Sequence, residues 1–328
     1  MQKVKVLLVI SSKMTEMAQF HVEDRGPPDL RIWVVQQVRE RSLMRILVLA
    51  DIHSNWPALA AIQEPFDACL FVGDLVDYAT DPVPCVDWIR KHAAVSVRGN
   101  HDHAVAQRIP VVKSNGLHQL AAATRPLHWK VLSPLHMKFL TRLPVTRKVT
   151  LDKKRFFLVH ATPRDPFDEY LRDDKSAWQA RLKGVDADFI LVGHTHIPFA
   201  LQLDGPMVIN PGSVGQPRDG DPRAAYAIIE NGKVELRRVK YDIDATLKHM
   251  RDSGIDAETL ELATAVLRTG GRFEFDKLAQ SVGTALDEDP NDVHDTVELA
   301  QFKPVETPKK KRKASKKKAP AKRKPSAS

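Results

Sequence analysis

Cysteine is nearly missing from this chain: two in 328 residues, Cys69 and Cys85, too few for a disulfide framework. Cys69 lies in the apolar run ACLFVG, where a thiol behaves as a small hydrophobe, so a reducing, cytoplasmic setting is expected. Long hydrophobic runs are missing too. None approaches the roughly 20 residues that cross a bilayer, and the N-terminal VKVLLVI is too short for a secretory segment and lacks a cleavage site. No membrane or targeting segment is predicted. Acidic residues are absent from the last twenty positions, of which eleven are Lys or Arg. From Lys303 to Ser328 twelve basic residues face the single acid Glu306, so the net charge of +9 belongs to the tail and the preceding 302 residues are slightly negative. A segment of that composition cannot bury enough apolar surface to fold.

What remains is organised. Residues 1–43 show no sustained periodicity and are broken by RGPPD, which reads as a poorly packed extension or an upstream start; a short docked helix over LRIWVVQQVRERSL is the alternative. At Met44 the text changes to MRILVLADIHSN, and short apolar runs then alternate with helical patterns, the signature of an α/β fold with buried, largely parallel strands. The strands are RILVLA, ACLFVG, AVSV, RFFLVH and DFILVG. Helices are expected over WPALAAIQ, with Asn55 as cap and Pro57 in its first turn, and over SPLHMKFLTRL, with mostly helical segments between the third and fourth strands. After residue 198 the pattern turns antiparallel, with Asp-Gly and Asn-Gly turns in ALQLDGPMVIN and AAYAIIENGKVELRRVKY. The expected division is 44–241 as the main domain, 242–302 as a helical extension and 303–328 as a disordered basic tail.

Ligands of open α/β sheets collect at the carboxyl ends of strands, and here each strand ends in metal-ligand chemistry. The first delivers Asp51 and His53, the second Asp74 and Asp77, the third Asn100 and His101; His160 follows the fourth, and His194 and His196 the fifth. In extended backbone, residues two apart face the same way, so DIH and HTH can each aim two side chains at one site, while Gly73, Gly99 and Gly193 would let the chain turn before them. Hard oxygen donors mixed with imidazole, without thiolate, favour manganese, iron or zinc, manganese being preferred. So many candidate ligand groups exceed one ion and suit two divalent ions sharing a carboxylate, ~3.5–4 Å apart.

The ordered set DIH, GDLVD, GNHD, VHATP and GHTH resembles the calcineurin-like metallophosphoesterase superfamily, and NPGSVGQPRDGDPRAAYAII is similar to its small bacterial and archaeal phosphodiesterase-like branch. The resemblance spans residues 45 to about 240. It implies a two-sheet mixed β-sandwich flanked by helices. It also implies a phosphoester substrate, attacked in line by a hydroxide that bridges two ions. Asp51, His53 and His196 would hold the first metal and Asn100, His160 and His194 the second, with Asp74 bridging. His101 would be the general acid and Asp77 its orienting partner. Protein phosphatases of the superfamily carry arginine after that acid, where Tyr78 stands here, so a diester is favoured over a phosphoprotein. Arg164 and Arg218 are the candidates for substrate contact.

The other eight histidines are read as surface or core residues, and Asn210 and Ser213 as loop-shaping. Two further functions compete with the diesterase: a binding scaffold of the same fold, and a nuclease tethered by the tail. For residues 309–328, non-specific nucleic-acid binding through phosphate neutralisation is preferred over a nuclear import signal in PKKKRKA or simple solubilisation. Oligomeric state has no sequence signal.

Overall fold

Strand β1 (Arg45–Leu49) is buried on both faces: Ile46 and Val48 enter one hydrophobic layer, Leu47 and Leu49 another. That is why it reads as an unbroken apolar run. Strand β2 (Ala68–Phe71) repeats the arrangement, with Leu70 on one side and Cys69 and Phe71 on the other. These strands belong to a computed structural model that describes residues 44–111 and 116–272. Expectations for residues 1–43, 273–302 and 303–328 lie outside the described residues.

With β3 (Ala93–Ser96), β9 (Ala224–Glu230) and β10 (Lys233–Val239), the first sheet has the order β10-β9-β1-β2-β3. β1, β2 and β3 are parallel, and β9 and β10 join antiparallel. The second sheet contains β4 (Thr146–Leu151), β5 (Lys154–Val159), β6 (Phe189–Leu191), β7 (Phe199–Gln202) and β8 (Met207–Asn210) in the order β4-β5-β6-β8-β7. Between the sheets lie Ile46, Val48, Leu70 and Val72 against Phe156, Leu158, Leu191 and Ile209. The mixed two-sheet sandwich expected from the sequence is the observed architecture.

Helices cover the outer faces. α1 (Trp56–Ala60), α2 (Pro82–His92), α3 (Asn100–Ala106), α4 (Leu117–Val131) and α5 (Pro134–Arg142) pack on the first sheet through residues such as Leu59, Ile89, Val105, Trp129 and Leu140. On the second sheet, α6 (Lys175–Arg181) buries Trp178 completely among Phe157, Val159 and Ile190; truncation of such an aromatic to alanine costs about 3–5 kcal/mol. Local signals were obeyed. Asn55 and Ser133 accept hydrogen bonds from the amides of Ala58 and His136, each at 3.3 Å, and Asn231-Gly232 turns with φ of 52° and 73°.

Two helices of the 242–302 segment are described. α7 (Ile243–Asp252) packs on α1 and α8 (Ala257–Thr269) on α4, tied to the body by Thr246 Oγ1 donating to Asn55 Oδ1 at 2.8 Å. Strand β4 is an addition to the expected elements. It is an edge strand reading TRKVTL, mostly exposed, and its turn into β5 uses Asp152 and Lys153 in left-handed conformation rather than a glycine. A charged edge with no Gly-type turn has no strand signature. No helix among the described residues is long and apolar enough to cross a membrane.

Candidate metal centre

The strand ends are stitched together before any side chain is considered. Asp51 N donates to Gly73 O at 2.9 Å, Ile52 N to Asp74 O at 2.8 Å and Gly193 N to His160 O at 2.8 Å. Turns after β1, β2, β5 and β6 therefore share one edge. Their backbone is not the extended pleat expected. Asp51, His53, Asp74, Asp77, His194 and His196 all take left-handed φ, between 47° and 68°. For non-glycine residues this costs on the order of 1 kcal/mol each and clusters at functional sites. These turns, rather than pleat alternation, bring the side chains together.

The glycines before the ligands divide in role. Gly73, with φ of +97°, does supply a turn. Gly99 has ordinary extended backbone, at φ −90° and ψ 176°, but a Cβ there would lie 2.0 Å from Asp74 Oδ1. Its role is clearance.

Two groups of ligand atoms converge, each within 4.8 Å: Asp51, His53, Asp74 and His196 in one, and Asp74, His160 and His194 in the other. Asp74 is common to both. Asn100 opens α3, and the adjacent amide of His101 donates to Asp74 Oδ1 at 3.0 Å. His194 is half-buried, whereas Asp51, His53, Asp74, His160 and His196 are all at most 1% exposed.

Backbone carbonyls fix the tautomers. A carbonyl only accepts, so Nδ1 of His53 donates to Val76 O at 2.9 Å, that of His160 to Val72 O at 2.8 Å, and that of His196 to Gln216 O at 2.6 Å. In a neutral ring this leaves the Nε2 lone pair facing inward. Nε2 of His53 and Nε2 of His196 are 3.1 Å apart, and Nε2 of His194 and Oδ2 of Asp51 are buried without hydrogen-bond partners, while Nε2 of His160 faces Asp74 Oδ2 at 3.1 Å. Lone pairs meeting in a buried space require a cation between them, so the donor set fits a metal.

Burial drives the His53 and His194 rings down to about 3 and holds His196 well below the ordinary imidazole range, Asp74 opposing in each case. Burial also opposes charge on His160, but Asp74 and Asp51 outweigh it and lift that ring to about 9. Asp74 is pushed well below the carboxylate range, because His160, His101 and His53 together outweigh its burial. Asp51 is raised to about 7, chiefly by burial.

Beside this centre, His101 Nδ1 lies 2.8 Å from Asp77 Oδ2. The His101 ring packs 4.6 Å from Tyr78 and edge-on to His53 at 5.0 Å. Arg218 reaches the same edge, with Nη2 3.3 Å from the Tyr78 hydroxyl, and its charge acts on Asp51, His53, His194 and His196. Arg164 does not join them. Its side chain is 63% exposed and paired with Glu169, which also binds Arg181. A small cavity behind the centre is lined by His53, Tyr78 and Gln216 on one side and by Met250, Val266 and Leu267 of α7 and α8 on the other.

Sequence reasoning missed three residues that hold this machinery. Asp102 accepts the amides of Asp74, Leu75 and Gly99 at 2.9, 2.8 and 3.0 Å. Arg125 binds Asp77, and His128, fully buried, accepts the Asp77 amide at 3.2 Å. Only Asp102 had a signal: an acid in the first turn of a helix, within GNHD.

A two-sheet sandwich whose strand-end turns gather buried Asp and His lone pairs around one shared carboxylate is the scaffold of a metallohydrolase. Residues 44–233 match the calcineurin-like phosphoesterase superfamily domain, and the chain belongs to that family. It is 34% identical to the uncharacterized protein MJ0912 of Methanocaldococcus jannaschii over 228 residues, 60% of this chain and 88% of the relative. It is 25% identical to the phosphodiesterase YfcE of Escherichia coli over 205 residues, 58% of this chain and 89% of that protein. The solved metallophosphoesterase of Sphaerobacter thermophilus superposes with a TM-score of 0.60 at 33% identity, covering 70% of this chain and 99% of that one.

Proposed function

We propose that the protein is a phosphodiesterase with a dinuclear centre. Asp51, His53 and His196 would hold one ion, Asn100, His160 and His194 the other, and Asp74 both. The observation that carries this is the convergence of imidazole Nε2 atoms on two sides of Asp74, with those of His53 and His196 3.1 Å apart and that of His160 3.1 Å from Asp74 Oδ2. When bound, divalent ions act as Lewis acids on phosphoryl oxygens and lower the pKa of water; manganese is the preferred ion. The chain's own residues do the rest. His101, held through Nδ1 by Asp77, donates a proton to the departing ester oxygen from Nε2. Arg218 contacts the non-bridging oxygens, as a guanidinium suits an anion; Arg164, tied to Glu169, has no such part.

The diester preference is supported by Tyr78, which fills the position where a phosphatase arginine would stand, and by the named activity of YfcE. The two buried, unpaired cysteines suit a reducing cytoplasm. Residues 309–328 would tether the enzyme to nucleic acid through phosphate contacts, with a steep salt dependence. The test is hydrolysis of bis-p-nitrophenyl phosphate and p-nitrophenyl phosphate with Mn²⁺ by wild type, His101→Ala and a chain ending before Lys309. Metal-stimulated turnover that favours the diester and falls in His101→Ala is expected, with the shortened chain losing only nucleic-acid binding. No metal-stimulated turnover of either ester would overturn the reading.

A further inference from the structure

Asp77 is fully buried, and a single oxygen of its carboxylate takes three donors. Oδ2 accepts from Nδ1 of His101 at 2.8 Å, from Nε of Arg125 at 3.0 Å and from Nη2 of Arg125 at 2.5 Å. Arg125 is itself anchored: Nη1 donates to Ile109 O at 3.1 Å, and its side chain is 7% exposed. One turn further along α4, His128 grips the other end of the same residue. Its Nδ1 accepts the Asp77 amide at 3.2 Å while Nε2 donates to Ala79 O at 2.9 Å. Residues three apart share a helix face, so α4 clamps both the carboxylate and the left-handed backbone of Asp77, where φ is 68°.

A buried ion pair by itself is weak evidence of stabilisation, because desolvation offsets most of the Coulombic gain. What this one supplies is direction. A carboxylate with only His101 as partner could rotate about its Cβ–Cγ bond; two guanidinium nitrogens closing on Oδ2 hold that oxygen against the His101 ring.

We propose that Arg125 is a positioning residue for the His101–Asp77 pair: it holds the carboxylate in the orientation that keeps His101 Nδ1–H donated and leaves Nε2 directed at the departing ester oxygen. This rests on the general-acid role proposed for His101. In that step the P–O bond to the leaving group breaks with its electron pair on oxygen, and His101 Nε2–H supplies the proton. The ring ends neutral with Nδ1–H still on Asp77, and recovers its Nε2 proton from water. Arg125 gives up no proton and touches no substrate.

The consequence is selective. Loss of Arg125 should matter for an ester whose leaving oxygen needs a proton and little for one that departs as a stable anion. Full-length wild type, Arg125→Met, Arg125→Lys and His101→Ala are compared on methyl phenyl phosphate and methyl p-nitrophenyl phosphate. His101→Ala should lose far more on the phenyl ester. Arg125→Met should lose roughly tenfold in kcat on that ester, the lower end for removing an outer hydrogen-bonding partner, with KM within twofold and little change on the nitrophenyl ester. Arg125→Lys should recover part of the loss. Should Arg125→Met fail to fold, Arg125→Lys must show the same selectivity at smaller size.

An independent reading comes from proton NMR of metal-free protein labelled with ¹⁵N-histidine. The Nδ1–H of His101 should be protected from exchange in wild type and Arg125→Lys, and lost in Asp77→Asn and Arg125→Met. Equal losses on both esters with the Nδ1–H signal intact in Arg125→Met would reduce Arg125 to a structural ion pair and overturn the proposal. Equal losses in His101→Ala would instead overturn the general-acid role, and the Nδ1–H signal alone would then decide whether Arg125 positions the ring.

Discussion

Replacing Gly99 by alanine separates clearance from turn-making. At φ −90° and ψ 176° alanine is unstrained, and at a compatible position Gly→Ala stabilises by about 0.4–1 kcal/mol through the unfolded chain. If backbone conformation alone mattered, this glycine would thus be replaceable at no cost. The structure puts the new Cβ 2.0 Å from Asp74 Oδ1 and 2.6 Å from the Asp74 amide, where real contacts do not fall under 3.0 Å, so the carboxylate must retreat by at least about 1 Å. Overpacking of this kind costs about 1–3 kcal/mol. The net is a loss of roughly 0.5–2 kcal/mol, or about 1–8 °C in Tm for a domain of this size. Since Asp74 belongs to both ligand groups, both ions should bind roughly 10–100-fold more weakly, the range found when a ligand's support is disturbed. Calorimetric melting in chelator gives the first quantity and isothermal titration with Mn²⁺ the second. A variant as stable as wild type with unchanged Mn²⁺ affinity would refute the clearance argument.

Asp77 sits at about 2 in the fold, against an ordinary 3.8, because Arg125 and His101 outweigh the rise that burial would cause. A carboxylate depressed on folding stabilises above its unfolded pKa and loses that contribution as pH falls through its folded one. About 2 kcal/mol should therefore disappear between roughly pH 4 and pH 2, and denaturant titrations of Asp77→Asn should lack this part of the acid limb. Saturating Mn²⁺ should raise Tm, since an ion at 100 times its Kd adds about 2.7 kcal/mol; a melting point indifferent to Mn²⁺ and to chelator would contradict binding to the folded centre. Arg155→Ala should leave the urea midpoint nearly unchanged despite pairing with Asp186 and Asp188, because exposed ion pairs are screened; a clear fall in that midpoint would show that this edge matters more than its exposure suggests.

The sandwich was legible because its strands are buried on both faces, so RILVLA, ACLFVG, RFFLVH and DFILVG stand out as apolar runs, each stopping at a candidate ligand. Strand β4 was not legible, since an exposed edge strand reading TRKVTL obeys solubility rather than burial. The converging Asp and His residues could be named from spacing, but the reason given for their convergence was wrong: left-handed turns at Asp51, His53, Asp74, His194 and His196 do what pleating was expected to do. Arg125 and His128 were invisible for another reason. They lie about 50 positions from Asp77 on a helix whose pattern reports only amphipathicity, and nothing local marks a residue that acts across the fold. Arg164 and Arg218 looked equivalent as loop arginines until the structure paired one with Glu169 and turned the other toward Tyr78.

The central claim is a two-ion centre organised around Asp74, and anomalous diffraction from crystals grown with Mn²⁺ addresses it directly. Two peaks are expected, ~3.5–4 Å apart and both against Asp74, one among Asp51, His53 and His196, the other among Asn100, His160 and His194. A single peak, or two peaks that do not share Asp74, would contradict it.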